Sequence, residues 1–449
     1  MAITQVPPRS ASRIGFKRSR TAVRSRQKVK KNDPQSVEGL LAATRTTEFA
    51  SRVVGVRTFL PQLSAKRFST VGGITEGVFV QQLDSCKSFN DTRWTEHWIA
   101  LANEQLQHLD NELEKAELGS SHAFLNWQPP SLAVLSFLRQ SATAMTQTPP
   151  GNPIDEDTFP QDGQKGSLIA VSALLKAIAY FFVAAWPGLA PAPLKAYRVC
   201  EALFDILLDA IAPTLSLNVE RHIVPINGED VKVYALLPTR SETTVPGVLV
   251  TNGLEGTNVE TMVTVLRTKA VLSSAWFFME MPRTYASKQP MTKSSSELIY
   301  GEVLTFMASH KQVDGSRLGM LGISFGGNCA TRMAMVDKRL KAVVVNGAPL
   351  GRSLCLLGSL GMPEVVIRAL FSVAGAKTLL DLRSRLDALV PTREGIEQIQ
   401  CHVFAINGEK DTLISTQDTT NLATWAPNSE LLFHCAMGNI QEWLEYGSC

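Results

Sequence analysis

Residues 317–328 have the sequence RLGMLGISFGGN, in which a short apolar run leads into the pattern G-x-S-x-G. The run predicts a β-strand, and a helix is predicted to begin near Asn328. A serine between such a strand and helix lies on a tight turn that projects its hydroxyl above the sheet. Gly322 and Gly326 suit that turn because neighbouring backbones approach too closely there for a Cβ. Ser324 is therefore the candidate nucleophile, and the alternative is an ordinary strand-to-helix turn.

The candidate base is His434. A serine hydroxyl reacts only when a base takes its proton, and an acid must orient that base. In serine hydrolases built on a parallel sheet, the acid and then the histidine follow the serine along the chain. Of seven histidines, only His402 and His434 follow Ser324, and His402 opens an apolar strand ahead of the best acid. A structural histidine at a strand end is the alternative for His434.

The candidate acid is Asp411, in the loop after the predicted strand 403–406. This is where a carboxylate would reach a histidine from the next strand. Glu409 is a neighbouring alternative. Asp418 is a weaker one, interpreted as a solvated helix residue. A simple turn or helix-capping role is the alternative for Asp411 itself.

An oxyanion hole needs two backbone N–H groups, one from the residue after the nucleophile and one from a loop after an earlier strand. Phe325 supplies the first. The stretch 248–256, VLVTNGLEG, has the right form for the second, with Gly253 or Leu254 as the donor. Use of these glycines in an ordinary turn is the alternative, and Glu255 is interpreted as solvated rather than as a substrate contact.

Residues 215–449 are predicted to form an α/β catalytic domain. Short apolar runs alternate with helical segments, which is typical of a mostly parallel sheet covered on both faces. An antiparallel hairpin joined by Asn227-Gly228 comes first. The predicted strands are 217–225, 231–237, 245–250, 276–279, 318–321, 342–345, 403–406 and 431–433.

Residues 91–214 are predicted to form a helical cap that precedes the sheet. Apolar residues recur there at helical spacing in the segments 94–115, 131–143, 168–185 and 196–211. The run 168–185 is apolar enough to suggest a membrane span, but Lys176 near its middle favours a buried helix. We therefore expect no membrane span. Residues 37–90 give no clear pattern.

The net charge of +3 conceals an uneven distribution. Ten of the 44 basic residues precede Asp33, which leaves 34 basic and 41 acidic side chains, a balance of −7. Residues 1–36 are predicted to be a disordered basic tail, with an organelle-targeting peptide or a nucleic-acid-attracting arm as alternatives. A mildly acidic body argues against nucleic acid as a partner of the folded part.

The cysteine pattern and the N-terminus predict a cytoplasmic protein. Seven cysteines are spread without a CxxC pair or a Cys/His metal spacing, which is typical of reduced thiols. The N-terminus has no apolar signal-peptide core. Organelle targeting by the basic tail remains the alternative.

The region 94–443 resembles a group of α/β hydrolases. The group includes FrsA, fungal pigment-pathway hydrolases that shorten polyketide chains, and the pseudooxynicotine C–C hydrolase. In place of a D-x-P-G-x-G turn, this chain has EMPRTY at 280–285, closer to the FrsA form. The stretches that carry the resemblance are 172–186, 217–237, 279–288 and 313–317 running into 322–328.

This resemblance implies an α/β-hydrolase fold with an N-terminal helical cap and no metal or organic cofactor. It also implies that Ser324, Asp411 and His434 are nucleophile, acid and base. The expected reaction is hydrolysis of an ester or a β-diketone-type C–C bond in a small, largely apolar metabolite, with polyketide-derived molecules as candidates. The alternatives are an acyltransferase on the same triad and a catalytically weak binding or regulatory protein. Homodimerisation is left open.

Overall fold

The structure is a computed structural model that describes residues 47–434 apart from 61, 126–127, 156–163, 189, 240, 242, 286–287, 355–363, 410 and 412. The predicted basic tail, residues 1–36, lies outside the described residues. The last part of the predicted catalytic domain, residues 435–449, does so too.

The described residues before the sheet are helical. The predicted helices within 91–214 are confirmed, and three helices also occupy the segment 47–83, where no sequence pattern was recognised. In chain order these helices are α1 (Thr47–Val54), α2 (Gln62–Thr70), α3 (Glu76–Leu83), α4 (Asp91–Lys115), α5 (His122–Leu125), α6 (Leu132–Arg139), α7 (Ala144–Gln147), α8 (Lys165–Ala184) and α9 (Pro191–Ile211).

Helix α8 is the centre of the helical region. It is long and apolar enough to cross a membrane, but 89% of its most apolar stretch is buried inside the protein. Its last carbonyls need partners because a helix leaves them without intrahelical donors. Trp94 Nε1 donates to the carbonyl of Val183 at 2.8 Å, and Thr95 Oγ1 donates to that of Ala184 at 3.0 Å. Helix α4 therefore completes the end of α8, which is built as a core helix.

The described residues from Leu217 onward contain an eight-stranded, mostly parallel sheet in the order β1-β2-β4-β3-β5-β6-β7-β8. Only the β1/β2 and β2/β4 pairs are antiparallel. This confirms the expected α/β-hydrolase fold class. The elements are β1 (Leu217–Ile226), β2 (Glu229–Pro238), β3 (Val245–Thr251), α10 (Asn258–Leu266), β4 (Ala275–Met279), α11 (Lys293–Ala308), β5 (Val313–Ile323), α12 (Phe325–Val336), β6 (Leu340–Asn346), α13 (Glu364–Ala374), α14 (Leu379–Asp387), α15 (Arg393–Glu397), β7 (His402–Gly408), α16 (Thr416–Trp425) and β8 (Ser429–His434).

The sheet separates two apolar cores. In β4, Trp276 and Phe278 belong to the core shared with the helical region, whereas Phe277 and Met279 belong to the core on the other face. Alternate side chains of a strand point to opposite faces, so a strand covered on both sides is apolar throughout. All five residues of β4 are buried. The helical region thus covers one face of the sheet and shares its core.

Glu280, at the end of β4, joins the two parts of the protein. Its carboxylate accepts hydrogen bonds from Tyr197 Oη of α9, from Asn252 Nδ2 at 2.5 Å and from the backbone N–H of Asn258 at 2.9 Å. Burial raises the pKa of Glu280 to about 7, although all three hydrogen bonds favour the ionised form. The energetic consequence is a penalty for carrying a charge at this junction.

This penalty predicts a pH dependence of stability. The folded protein holds the Glu280 proton more tightly than the unfolded chain, so the free energy of unfolding should fall as pH rises from about 4.5 to about 7. The fall due to this group is about 3 kcal/mol. In Glu280→Gln that contribution should vanish, so the difference in unfolding free energy between variant and wild type should change with pH.

Urea unfolding between about pH 5 and about pH 8 measures this difference. Glu302→Gln, at an exposed position of α11, is the control. If the free energies of unfolding of wild type and Glu280→Gln changed with pH in parallel over the whole range, this role of Glu280 would be contradicted.

Candidate active site

Ser324 has a backbone conformation that non-glycine residues rarely adopt. Its φ is +53° and its ψ is −121°. Its N–H donates to the carbonyl of Asn346, at the end of β6, at 2.7 Å, and its carbonyl accepts from the N–H of Gly327 at 2.9 Å. Strain of this kind costs about 1–3 kcal/mol and persists only where the surroundings enforce it. The predicted tight turn is present, and it lies between β5 and the N-terminus of α12.

The glycines flanking Ser324 have the steric role that the sequence predicts. A Cβ on Gly322 would lie 2.5 Å from the carbonyl carbon of Gly326. A Cβ on Gly326 would lie 2.6 Å from the carbonyl oxygen of Thr251, in the neighbouring strand β3. Both distances are shorter than real Cβ contacts, so no side chain fits at either position without moving the backbone.

The loop after β3, residues 252–257, carries both candidates for the second oxyanion donor and is named the oxyanion loop for that expectation. Gly253 contacts the nucleophile: a Cβ on it would lie 2.7 Å from Cβ and 3.1 Å from Oγ of Ser324. Leu254 and Phe325 are both buried beside this contact. The two segments that carry the candidate donors therefore approach each other at Ser324, at the positive end of the α12 dipole.

Asp411 lies just after β7, as predicted. Its Oδ1 accepts the backbone N–H groups of Leu413 at 2.8 Å and Ile414 at 2.9 Å. Its Oδ2 lies 4.0 Å from the point where Gly347, at the end of β6, would carry a Cβ. Burial raises the pKa of Asp411, and the two N–H bonds partly offset this effect. One oxygen is thus held by the loop while the other faces the end of β6.

His434 is the last residue of β8 and is paired with Gly408 of β7. Its carbonyl accepts the N–H of Glu409 at 2.9 Å, and its side chain is half-buried. In the parallel ladder it lies two residues beyond Leu432, which is paired with Ile406. Alternation therefore gives His434 the same face of the sheet as Ile406, the face toward the helical region. Ser324, Asp411 and His434 all occupy the carboxyl edge of the sheet.

The interpretation of Asp418 as a solvated residue is wrong. Asp418, on α16, is buried and accepts five hydrogen bonds. The donors are the backbone N–H groups of residues 350, 351, 352 and 353 and the hydroxyl of Ser353. Its carboxylate is fully used in fixing the loop after β6, which removes it as an alternative acid. A polar residue in the first turn of a helix gave no signal of this role.

The interpretation of Glu255 as solvated is also wrong. Its side chain is only 13% exposed. Oε2 accepts Trp186 Nε1 at 2.7 Å and lies 3.9 Å from Arg67 Nη1. Burial raises the pKa of Glu255, while Arg67 and the Trp186 hydrogen bond lower it. Glu255 therefore connects the oxyanion loop to the helical region.

Among the described residues, one cluster could offer three ligand atoms to a metal: Glu220, His222 and His310. Both Nε2 atoms contact Glu220 Oε2, at 2.9 Å from His222 and 3.1 Å from His310. Nδ1 of His310 accepts the backbone N–H of Gln312 at 3.3 Å, so the proton of the neutral ring is on Nε2. That proton points at Glu220 and occupies the position that a metal would need. The geometry fits a hydrogen-bonded group on the β1 side of the sheet.

Sequence reasoning missed three residues around the oxyanion loop: Arg67, Trp186 and Glu280. Arg67 belongs to the segment that carried no pattern. Trp186 and Glu280 lie in stretches that support the resemblance, yet no spacing rule links them to a site. All three act through contacts between segments far apart in the chain.

Two solved structures share the fold. The match to the crystal structure of the 2,6-dihydroxy-pseudo-oxynicotine hydrolase spans 84% of this chain and 94% of that chain, with a TM-score of 0.60 and 18% identity. The match to wild-type AbyA5 spans 76% of this chain and 78% of that chain, with a TM-score of 0.55 and 20% identity. At these identities the likeness shows the fold alone.

Several curated proteins are similar in sequence. Esterase FrsA of Salmonella typhi is 26% identical over 61% of this chain and 70% of its own length. The 2,6-dihydropseudooxynicotine hydrolase of Paenarthrobacter nicotinovorans is 26% identical over 47% and 57%. Esterase FrsA of Vibrio vulnificus (strain YJ016) is 31% identical, but the match spans only 34% of that protein.

The family described as "Esterase FrsA-like" matches residues 161–411 of this chain. That range includes α8, α9, the oxyanion loop, Ser324 and Asp411, and it is more than half of the sequence. The chain belongs to the FrsA-like esterase family of α/β hydrolases.

Proposed function

We propose that this protein is a serine hydrolase that cleaves an ester or a β-diketone-type C–C bond of a small, largely apolar molecule. The observation that carries the proposal is the conformation of Ser324. A serine held at φ +53° on a strand-to-helix turn, with Gly253 against its side chain, is the arrangement that exposes a nucleophilic hydroxyl beside backbone donors.

The reaction proceeds through an acyl-enzyme. Ser324 Oγ attacks the substrate carbonyl carbon while His434 accepts the hydroxyl proton. The oxyanion is held by the N–H of Phe325 and by one N–H of the oxyanion loop. The C–O or C–C bond then breaks, and the leaving alkoxide or enolate takes the proton from His434. Water, activated by the same histidine, releases the acid and restores the Ser324 hydroxyl.

Asp411 orients His434 in this scheme. A carboxylate with one oxygen fixed by two backbone N–H groups has little freedom to turn, so its second oxygen can hold an imidazole in one tautomer. His434 emerges from the neighbouring strand β8, whose last pair is with Gly408. The order serine, acid, histidine along β5, β7 and β8 supports these roles.

The surroundings favour an apolar substrate with a reactive carbonyl. Leu254 and Phe325 are buried at the two halves of the proposed oxyanion hole. Ile323, one residue before the nucleophile, packs against the core of the helical region. The name of the Paenarthrobacter relative records hydrolysis of 2,6-dihydropseudooxynicotine by that protein. For this chain we propose hydrolysis at a carbonyl group and name no particular metabolite as substrate.

Ser324→Ala should abolish covalent labelling by a fluorophosphonate probe, because the probe reacts only with an activated serine. Labelling is measured by gel fluorescence and by the mass of the modified peptide. Ser309→Ala, at an exposed position after α11, is the control and should label like wild type. A wild-type protein that resists the probe would overturn the proposal in favour of a binding protein. Ester formed when alcohols are added would identify an acyltransferase.

Gly253→Ala should lower hydrolysis of p-nitrophenyl butyrate by about 100-fold or more. The added methyl group would meet Ser324 at 2.7 Å and displace the loop that supplies an oxyanion donor. Gly301→Ala is the matched control, since nothing lies within 4 Å of its Cβ position on helix α11. That control should keep full activity and gain about 0.5–1 kcal/mol of stability. Equal activity in both variants would count against the site.

Asp411→Asn should reduce activity with little effect on stability, whereas Asp418→Ala should reduce stability. Asp411→Asn keeps a side-chain oxygen for the loop but cannot hold the imidazolium, so kcat should fall by about 10³- to 10⁴-fold with little loss of stability. Asp418→Ala leaves five hydrogen bonds without their acceptor and should cost about 3 kcal/mol or more. Activity and urea unfolding of both variants test the assignment. A stable, fully active Asp411→Asn would refute the role of Asp411.

A further inference from the structure

Arg67 reaches the oxyanion loop from helix α2, about 190 residues earlier in the chain. Its Nη2 donates to the carbonyl of Glu255 at 2.7 Å. Its Nε and Nη2 form a two-pronged ion pair with Glu260, at 2.9 and 3.0 Å. Tyr285 Oη donates to the same Glu255 carbonyl at 3.0 Å. One guanidinium therefore binds both the loop and the first turn of α10, and that carbonyl receives two donors.

The peptide group that Arg67 holds also acts on the next one. The carbonyl of Glu255 and the N–H of Gly256 belong to a single planar, trans peptide, so their directions are opposed. The N–H of Gly256 donates to the carbonyl of Gly253 at 3.2 Å. That carbonyl in turn shares a trans peptide with the N–H of Leu254. Fixing the Glu255 carbonyl thus fixes the Leu254 N–H through two peptides and one hydrogen bond.

The charge of Arg67 has the right sign for this arrangement. A cation at the oxygen end of a peptide strengthens the positive end of its dipole, which here is the Gly256 N–H. Hydrogen-bonded peptides polarise one another, so the Leu254 N–H becomes a stronger donor. Among the described residues, neither the Leu254 N–H nor the Gly253 N–H is bonded to an acceptor, and Gly253 contacts Ser324. Of the two, only the Leu254 N–H shares a peptide with the Gly253 carbonyl that accepts from Gly256. This series of polarised peptides, from the Glu255 carbonyl to the Leu254 N–H, therefore ends beside Ser324, where an oxyanion would form.

We propose that Arg67 is a positioning residue for the oxyanion hole and that Leu254, not Gly253, supplies the donor from this loop. The assignment rests on the proposed serine hydrolase function. It makes the N-terminal helices part of the catalytic apparatus, although none of their side chains needs to touch the substrate.

Arg67→Met should lower the second-order rate constant of fluorophosphonate labelling by about tenfold, because the phosphonyl oxygen uses the same oxyanion hole. With p-nitrophenyl butyrate, kcat should fall by a similar factor while KM stays within about twofold, since the contact strengthens only in the transition state. Arg67→Lys keeps the charge but loses the two-pronged guanidinium contact, so its labelling rate should lie between those of wild type and Arg67→Met. Tyr285→Phe removes the second donor and should lower the rate about threefold.

Arg267→Met is the matched control. Arg267 also joins the sheet domain to the N-terminal helices, with Nη1 at 2.6 Å from the carbonyl of Thr70 and Nη2 at 3.3 Å from that of Val71. Within the described part of the chain, its guanidinium forms no hydrogen bond with the oxyanion loop. It should lower the melting temperature about as much as Arg67→Met while leaving the labelling rate within about twofold. Rates are compared at a temperature where all variants are folded, as judged by circular dichroism.

The outcomes separate the two proposals. A wild-type protein that does not label, or a Ser324→Ala variant that does, would overturn the serine hydrolase function. Normal labelling of wild type with equal rates in Arg67→Met and Arg267→Met would overturn only the role of Arg67. If Arg67→Met does not fold, Arg67→Lys and Tyr285→Phe decide: rates unchanged in both would overturn it.

Discussion

The close approach of two backbones at the ends of β3 and β5 is the constraint on which the site depends. The parallel register pairs Thr251 with Gly322, so the turns that follow these strands emerge side by side. The space between them admits no side chain at Gly326 or Gly253. Ser324 keeps its unfavourable φ because the close contacts of these neighbouring backbones exclude other conformations of the turn. The position of Ser324 on its tight turn is thus a result of backbone geometry, independent of any catalytic partner.

The oxyanion loop is held from outside the sheet as well. Glu280 binds its start through Asn252, and Arg67, Trp186 and Tyr285 bind it at Glu255. Several of these groups are charged, and burying a charge is favourable only when hydrogen bonds compensate for the lost hydration. The helical region supplies part of that compensation, so the loop and the helical region stabilise each other.

The fold was predictable from sequence because its signals are local. Short apolar runs between helical segments marked the strands, and the G-x-S-x-G pattern at Ser324 marked the turn between one of them and its helix. Asp411 and His434 were predicted to follow strands, and the structure has them at those strand ends. Asp418 and Glu255 were misjudged because the partners of their side chains lie at least 65 residues away in the chain. No window of sequence reveals a contact of that separation, and polar residues default to solvent in such reasoning.

The shared core has a consequence for how this protein can be divided. Tyr234, Trp276 and Phe278 of the sheet belong to the same apolar core as residues of α8 and α9. A fragment that keeps every group of the proposed triad but begins at β1 would lose most of this core and expose apolar side chains to water. The smallest unit of this protein that keeps its core intact is therefore longer than the segment that carries the proposed triad, and it reaches back into the N-terminal helices.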